Sequence, residues 1–516
     1  MDPLLKILIL MMVAITLVAI AIRWKFPYPL ALIIGGAVLG FTPGLSEIPF
    51  DPTLILVIVL PPILYYAAYS ISIKEFRKNL YEIISLALGL VVTTTVAIAL
   101  VVKWLFPDWP WAYAFIFGAI NSPPDAVAAS AILKRFKISP KLITILEGES
   151  LINDASGLIL YRLALVAILS GSFSFTHAGY EFIIVVVGGI IIGALTGSFF
   201  HYVTAKYFDP IVAVVFSFTI PYFTYLLADS LGASGVLAVV VTGLIGSWTL
   251  ITRFSSATRI MGWASWDIFI ILLNCFIFTL IGFELRGVIH RLTLEQGLLY
   301  FGYGVLLFLV MILIRFAYVY LRKGYVLYTC SEDDRKIVIK ESIITSWAGM
   351  RGIVSMALVL ALPYTLPDGS PFIGRDEMVF LTFVTILLTL TITGLTLPTI
   401  IKKMHLRVTH HFNTRSVRDE LLKVAKVHLD ELVEKDHLSK EERKFLSDYF
   451  ASRHHVLELS SHDKSSQIVK ARNKILKLKK ERLLDLWHKN MIEDELFQKL
   501  ERELDVEEHH SIRGEI

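Results

Sequence analysis

The sequence predicts an all-α polytopic membrane protein of about 13 transmembrane helices, with inverted repeats, two broken crossing helices and a soluble helical C-terminal tail. Three observations carry this. The 516 residues are 55% hydrophobic and 18% charged, with a mean hydropathy of +0.65, far above a soluble globular chain. Apolar runs of membrane-crossing length follow one another up to residue 404. After His405 the composition turns abruptly to mixed charge at helical spacing. The domains expected are therefore a membrane part, residues 1–404, and a cytoplasmic helical tail, residues 405–516.

The expected spans are 4–24, 28–41, 53–71, 80–106, 112–133, 140–169, 180–201, 211–228, 234–250, 268–285, 297–321, 343–362 and 378–401. The first begins almost at Met1, but no small-residue cleavage pattern follows it and Arg23-Trp24-Lys25 ends it, so it reads as a span. The second is the shortest. Alternate loops hold about 17 Lys and Arg, among them Arg23, Lys74, Arg77, Lys134, Arg135, Arg253, Arg322 and Lys336, against about 5 opposite. That asymmetry predicts the N-terminus outside and the tail in the cytoplasm, which an odd number of spans satisfies.

In the tail, Leu421, Val424, Val427 and Leu432, then Ile475, Leu478, Leu483 and Leu484, fall at helical spacing. The tail also holds 11 of the 14 histidines, including the pairs His410-His411, His454-His455 and His509-His510. Their bland reading as solvated surface outweighs pH sensing, because no pattern aims them at a partner. A net charge of +4 gives no reason to invoke nucleic acid. Two cysteines, Cys275 and Cys330, exclude a disulfide framework and a zinc spacing. No nucleophile triad supports an enzyme.

Charges inside apolar runs carry the functional information, since a carboxylate at a helix centre costs at least about 2.5–3.5 kcal/mol. Span five contains Asn121-Ser122-Pro123-Pro124-Asp125-Ala126, where two prolines remove backbone donors and open the helix. Carbonyls freed there can bind a cation; capping alone would not require burying Asp125. Span six opens with Glu147-Gly148-Glu149-Ser150-Leu151-Ile152-Asn153-Asp154, which sets Ser150 and Asp154 on one stripe and Glu149 and Asn153 on a neighbouring one. Hydroxyl and carboxylate oxygens suit a hard cation. Glu147 reads as a headgroup-edge residue, and Arg162 as one that snorkels to the outer face. Span twelve carries Gly349-Met350-Arg351-Gly352, and a buried Arg requires an anion, for which Glu149 is the expected partner.

Pairing spans one to six with eight to thirteen sets span five against span twelve, the two with mid-membrane interruptions. Crossing of the two would let Asp125 and Arg351 countercharge the exposed helix ends of the partner, each worth about half a unit charge.

SPPDAVAA at 122–129, EGESLINDASGLILYR at 147–162 and WAGMRGIVSMALVLALP at 347–363 resemble the monovalent cation:proton antiporters of the sodium/proton exchanger type. LPPILYYAA at 60–68 and GASGVLAVVVTGL at 232–244 add to the likeness, which covers the chain up to about Met404 and not the tail. The resemblance implies thirteen helices, with a six-helix core moving against a dimerisation domain, and therefore a homodimer. It implies a plasma-membrane protein, in the inner membrane if bacterial, whose partners are the lipid bilayer, a proton and Na+ or a similar monovalent cation, with no other cofactor. Asp154 would be the principal cation and proton carboxylate, Ser150 a ligand and Asp125 its partner, so the cation would be held by Asp154, Ser150 and Asp125. Glu149, Asn153 and Arg351 would form the supporting network. Where the family commonly reads Thr-Asp-Pro, this chain has Pro124-Asp125-Ala126, leaving only the Pro124 carbonyl as a ligand. An acid common after the LPP motif is replaced by Tyr65-Tyr66. From the residues alone, a passive cation channel and a membrane receptor signalling through the tail remain the competing classes; crossed broken helices argue against a continuous wet pore.

Overall fold

The computed structural model describes residues 3–24, 26–42, 52–136, 138–170, 175–329, 331–367, 369–404, 414–435, 439–451, 466–489, 491–492 and 494–513. The pairs His410-His411 and His454-His455, with Cys330, lie outside the described residues, as do the side chains of His509 and His510. Every regular element described is a helix. The N-terminal series is α1 (Pro3–Arg23), α2 (Tyr28–Gly40), α3 (Pro52–Ser70), α4 (Ile73–Lys78), α5 (Leu80–Ile84), a π-helical turn (Ser85–Leu90), α6 (Val91–Leu105), α7 (Trp111–Asn121), α8 (Val127–Arg135), α9 (Pro140–Ser170) and α10 (Phe175–Tyr207). There follow α11 (Pro210–Ser217), α12 (Ile220–Ser230), α13 (Gly235–Arg253), α14 (Ser256–Ile289), α15 (Leu294–Thr329), α16 (Glu332–Trp347), α17 (Ile353–Leu360), α18 (Arg375–Leu388), a second π-helical turn (Thr389–Thr393) and α19 (Gly394–Met404). The tail forms α20 (Thr414–Glu434), α21 (Lys440–Ala451), α22 (Ser466–His488) and α23 (Asp494–Arg513).

Helices fall on every expected span, and among the described residues seven segments are long and apolar enough to cross a membrane by length and composition. More spans are interrupted than the two expected. Besides α7/α8 and α16/α17, the span at 80–106 is widened by its π turn, 211–228 is broken between α11 and α12, and 378–401 carries the second π turn. At the first π turn the Tyr318 hydroxyl takes the space a side chain at Gly89 would need and donates to the Ser85 carbonyl at 2.9 Å. The short α2 has no polar face to orient it; its position comes from packing on α14, where a side chain at Gly36 would collide with the Thr279 carbonyl and one at Gly282 with that of Ile33.

Packing divides the chain into two compact units. The first comprises Met1–Lys206, Val215–Ile251 and Trp266–Val408. The second comprises Tyr207–Val214, Thr252–Ser265 and Thr409–Ile516. In the second unit the tail is helical as expected, but the buried stripe of α20 is Val417, Leu421, Ala425 and Leu429, while Val427 is 60% exposed. Helix α20 packs on α22. The same unit holds a cluster in which Arg259 donates to Asp505 at 2.7 Å and lies 3.8 Å from Glu501, while Lys480 reaches Asp505 at 2.9 Å and Glu508 at 2.5 Å.

Candidate cation site

Pro123 and Pro124 supply no N–H, so α7 stops at Asn121 and the chain is unwound until α8 resumes at Val127. In α16/α17 the stretch from Ala348 to Gly352 is likewise unwound. The two unwound pieces meet antiparallel in a single bridge, with the Asp125 N–H donating to the Met350 carbonyl at 2.7 Å.

The two glycines of the second piece are spaces for other side chains. A Cβ at Gly352 would occupy the position of the Asp125 carboxylate. One at Gly349 would come within 2.6 Å of the Arg315 side chain. Asp125 thereby sits against the N-terminal end of α17, and the Arg351 guanidinium donates to the Ser122 carbonyl at the C-terminal end of α7. Each charge lies where the partial charge of the facing helix end is opposite to its own.

Helix α9 crosses beside the bridge. Ser150 Oγ accepts from the Ala126 N–H at 3.2 Å, and Asn153 Nδ2 donates to the Pro124 carbonyl at 2.8 Å. Both therefore hold the unwound chain, and the Asn153 carbonyl oxygen is buried without a hydrogen-bond partner. Asp154 is 7% exposed, lies close enough to Asp125 for the two carboxylates to interact, and meets no hydrogen-bond donor or basic partner among the described residues. Ser150, Asn153, Asp154, Asp125 and the Pro124 carbonyl are thus brought together around one crossing.

Glu149 is not paired with Arg351 as expected. Its carboxylate accepts two hydrogen bonds from Arg315, at 2.5 and 2.7 Å, and Arg315 Nε donates to the Thr345 carbonyl at 3.0 Å. The reason is direction: Glu149 leaves α9 toward α15, while Arg351 is drawn to the end of α7. The two still feel each other electrostatically, and Arg351 Nε has no hydrogen-bond partner. Arg315 was missed although it stands inside an apolar run, the same signal that marked Arg351. Also missed is a hydroxyl ladder on α18 and its π turn. Asn121 donates to Thr382 and accepts from Thr385, at 3.1 and 3.2 Å, and Thr389 accepts the Arg351 N–H at 3.1 Å.

At the edges, Glu147 pairs with Lys134 at 2.7 Å, and Arg162 with Asp229 at 2.6 Å. Tyr66, the second of the two tyrosines after the LPP motif, donates its hydroxyl to the exposed carboxylate of Asp267 on α14.

Two unwound helices crossing at a pair of carboxylates, each end facing an opposite charge, define a secondary transporter. Residues 7–403 match the sodium/hydrogen exchanger transmembrane family, and the chain belongs to it. It is 32% identical over 404 residues to the uncharacterized Na(+)/H(+) exchanger YjcE of Escherichia coli K12, covering 75% of this chain and 73% of that one. It is 31% identical over 383 residues to the Na(+)/H(+) antiporter ApNhaP of Aphanothece halophytica, with 74% and 70% covered. A sodium, potassium, lithium and rubidium/H(+) antiporter of Bacillus pumilus is 29% identical over 402 residues, 75% of this chain and 60% of that one. In fold the chain is similar to the sodium proton antiporter MjNhaP1 of Methanocaldococcus jannaschii, with a TM-score of 0.62, 21% identity, and 78% and 99% covered.

Proposed function

We propose that the chain is an antiporter exchanging protons for Na+ or another small monovalent cation, through competition of the two for Asp154. The observation that carries this reading is a carboxylate buried beside a second acid with no basic partner among the described residues. Such a group is costly when charged and empty, and either a proton or a cation removes the cost. Asp125, Ser150 and the Pro124 carbonyl complete the cation's oxygen set. Asn153 and the Glu149–Arg315 pair keep α9 in register with the crossing, and Arg351 keeps the two broken helices locked. The loaded core then moves as a body, because an empty site carrying two negative charges is too costly to carry across.

In this reading the membrane part is residues 1–404 and the tail, 405–516, is cytoplasmic. The N-terminus lies outside, the protein is a homodimer in the plasma membrane, and exchange is electroneutral. Asn153 supports the last point, since an amide cannot carry a transported proton. The relatives are named for sodium alone and for a panel of alkali cations, so the cation series is part of the test. The experiment is proton flux in proteoliposomes driven by Na+, Li+ and K+ gradients, for the unmodified protein and Asp154→Asn. Coupled flux lost in the variant is expected. Uncoupled current would favour a channel, and normal exchange in Asp154→Asn would end this reading.

A further inference from the structure

Building on the exchange reading, we propose that Tyr28 and Asn274, on the packed pair α2 and α14, present the oxygen atoms that pass the cation to Asp125. Nothing in the crossing itself explains these two residues. Asn274 stands in an apolar stretch of α14 and is 3% exposed. Its Nδ2 donates to the Tyr28 hydroxyl at 3.3 Å, while its carbonyl oxygen is buried with no hydrogen-bond partner. Leaving such an acceptor unmade costs about 1–3 kcal/mol.

If the amide only pinned α2 to α14, its donor would suffice and an unused acceptor would be a pure loss. Pinning is already provided by the backbone contacts at Gly36 and Gly282, and at Gly40, where a Cβ would lie 2.8 Å from the Phe283 carbonyl. Those contacts instead give the Tyr28–Asn274 pair a rigid mounting.

The pair also lies within reach of the right charge. Of the two carboxylates, Asp154 is almost closed off and Asp125 is half-buried, so an arriving ion meets Asp125 first. Tyr28 is half-buried too, and its hydroxyl lies within electrostatic reach of Asp125. That hydroxyl accepts from Asn274, so its own proton is left to turn toward the carboxylate when no cation is present and away when one arrives.

An approach to the pair is marked on the same helix. Asp267 lies two turns before Asn274 on one face of α14 and is exposed, held by Tyr66. A carboxylate at the mouth, then a neutral carbonyl and a phenol, then Asp125, is a graded series for a small monovalent cation shedding water. Neutral oxygens in the middle keep the ion from being trapped.

The face served is the one that carries the Arg23 loop, because Tyr28 begins α2 just after it. The test measures Na+ dependence from each face, using the full-length protein in right-side-out and inside-out vesicles. Tyr28→Phe removes one oxygen, and with it the acceptor of the Asn274 amide. Asn274→Leu removes the carbonyl at similar volume, and Asn274→Asp restores an oxygen. Each of the first two should raise the Na+ KM at the Arg23-loop face about 10-fold, the effect of one lost hydrogen-bond-strength contact to a charge. The opposite-face KM should hold, and Asn274→Asp should recover a low KM. An unchanged KM at both faces, or a fall in kcat alone with a lowered melting temperature, would overturn the proposal in favour of a structural pair. Absence of exchange by the unmodified protein would instead overturn the antiport reading beneath it.

Discussion

Breaking the Glu149–Arg315 pair by Glu149→Gln keeps the side-chain shape and strands a guanidinium whose side chain is 7% exposed, opposite a carboxylate that was 1% exposed. Of the two charge-assisted hydrogen bonds, at 2.5 and 2.7 Å, one loses its acceptor to an NH2 that opposes the guanidinium, and the other loses the carboxylate charge. Removing one partner of such a pair costs about 3–5 kcal/mol. At about 1.4 kcal/mol per decade that is roughly two to four decades in the folded-to-unfolded ratio. Arg315→Met should cost a similar amount, so the two singles sum to about 6–10 kcal/mol. In the double change Glu149→Gln with Arg315→Met no charge is stranded. What remains is the Thr345 carbonyl without its Arg315 donor and a buried amide in place of the carboxylate, about 1–3 kcal/mol each. Unfolding of the purified protein in graded SDS, followed by tryptophan fluorescence, reads the three values. Losses that simply add would refute the pairing, and a larger loss from Arg351→Met than from Arg315→Met would show that the wrong arginine had been assigned.

Gly352→Ala, one methyl group, should displace the Asp125 carboxylate and cut exchange by at least an order of magnitude while the protein still inserts; full activity in proteoliposomes would contradict the close approach seen there. In the tail, burial pushes the Glu501 carboxyl up to about 7, with Arg259 opposing and Asp505 reinforcing the shift. A carboxyl raised on folding binds its proton more tightly in the folded unit. Its stabilisation is therefore complete below the unfolded value near 4.5 and is lost as pH rises through about 7. Hydrogen exchange of α23 in the full-length protein should accelerate across that window, and Glu501→Gln should flatten the change; an unaltered profile in the variant would remove Glu501 as its source. Asp505 works oppositely at lower pH: burial resists, but the hydrogen bond from Arg259 holds its carboxyl below the ordinary value, so its contribution fades only in acid. For stoichiometry, sodium-driven exchange clamped with potassium and valinomycin should not follow voltage, and a rate that does would overturn the one-for-one assignment resting on Asn153.

The sequence by itself determined the class, because burying charge in hydrocarbon is costly enough that each ionisable residue in an apolar run marks a site. Asp125 and Arg351 were legible for that reason, as were the breaks at Pro123-Pro124 and at Gly349 and Gly352. Helical periodicity likewise made Ser150, Asn153 and Asp154 legible as residues of one helix sharing adjacent stripes. Periodicity cannot say which neighbouring helix a stripe faces, and there the tertiary structure decided. It sent Glu149 to Arg315 and Arg351 to the end of α7, it joined Ser150 and Asn153 to the unwound chain, and it showed the two glycines to be spaces for Asp125 and Arg315. Tyr28 and Asn274 are 246 residues apart, each unremarkable in its own segment. Only the backbone contact of α2 with α14 brings them together, since a non-local pairing leaves no trace in local composition.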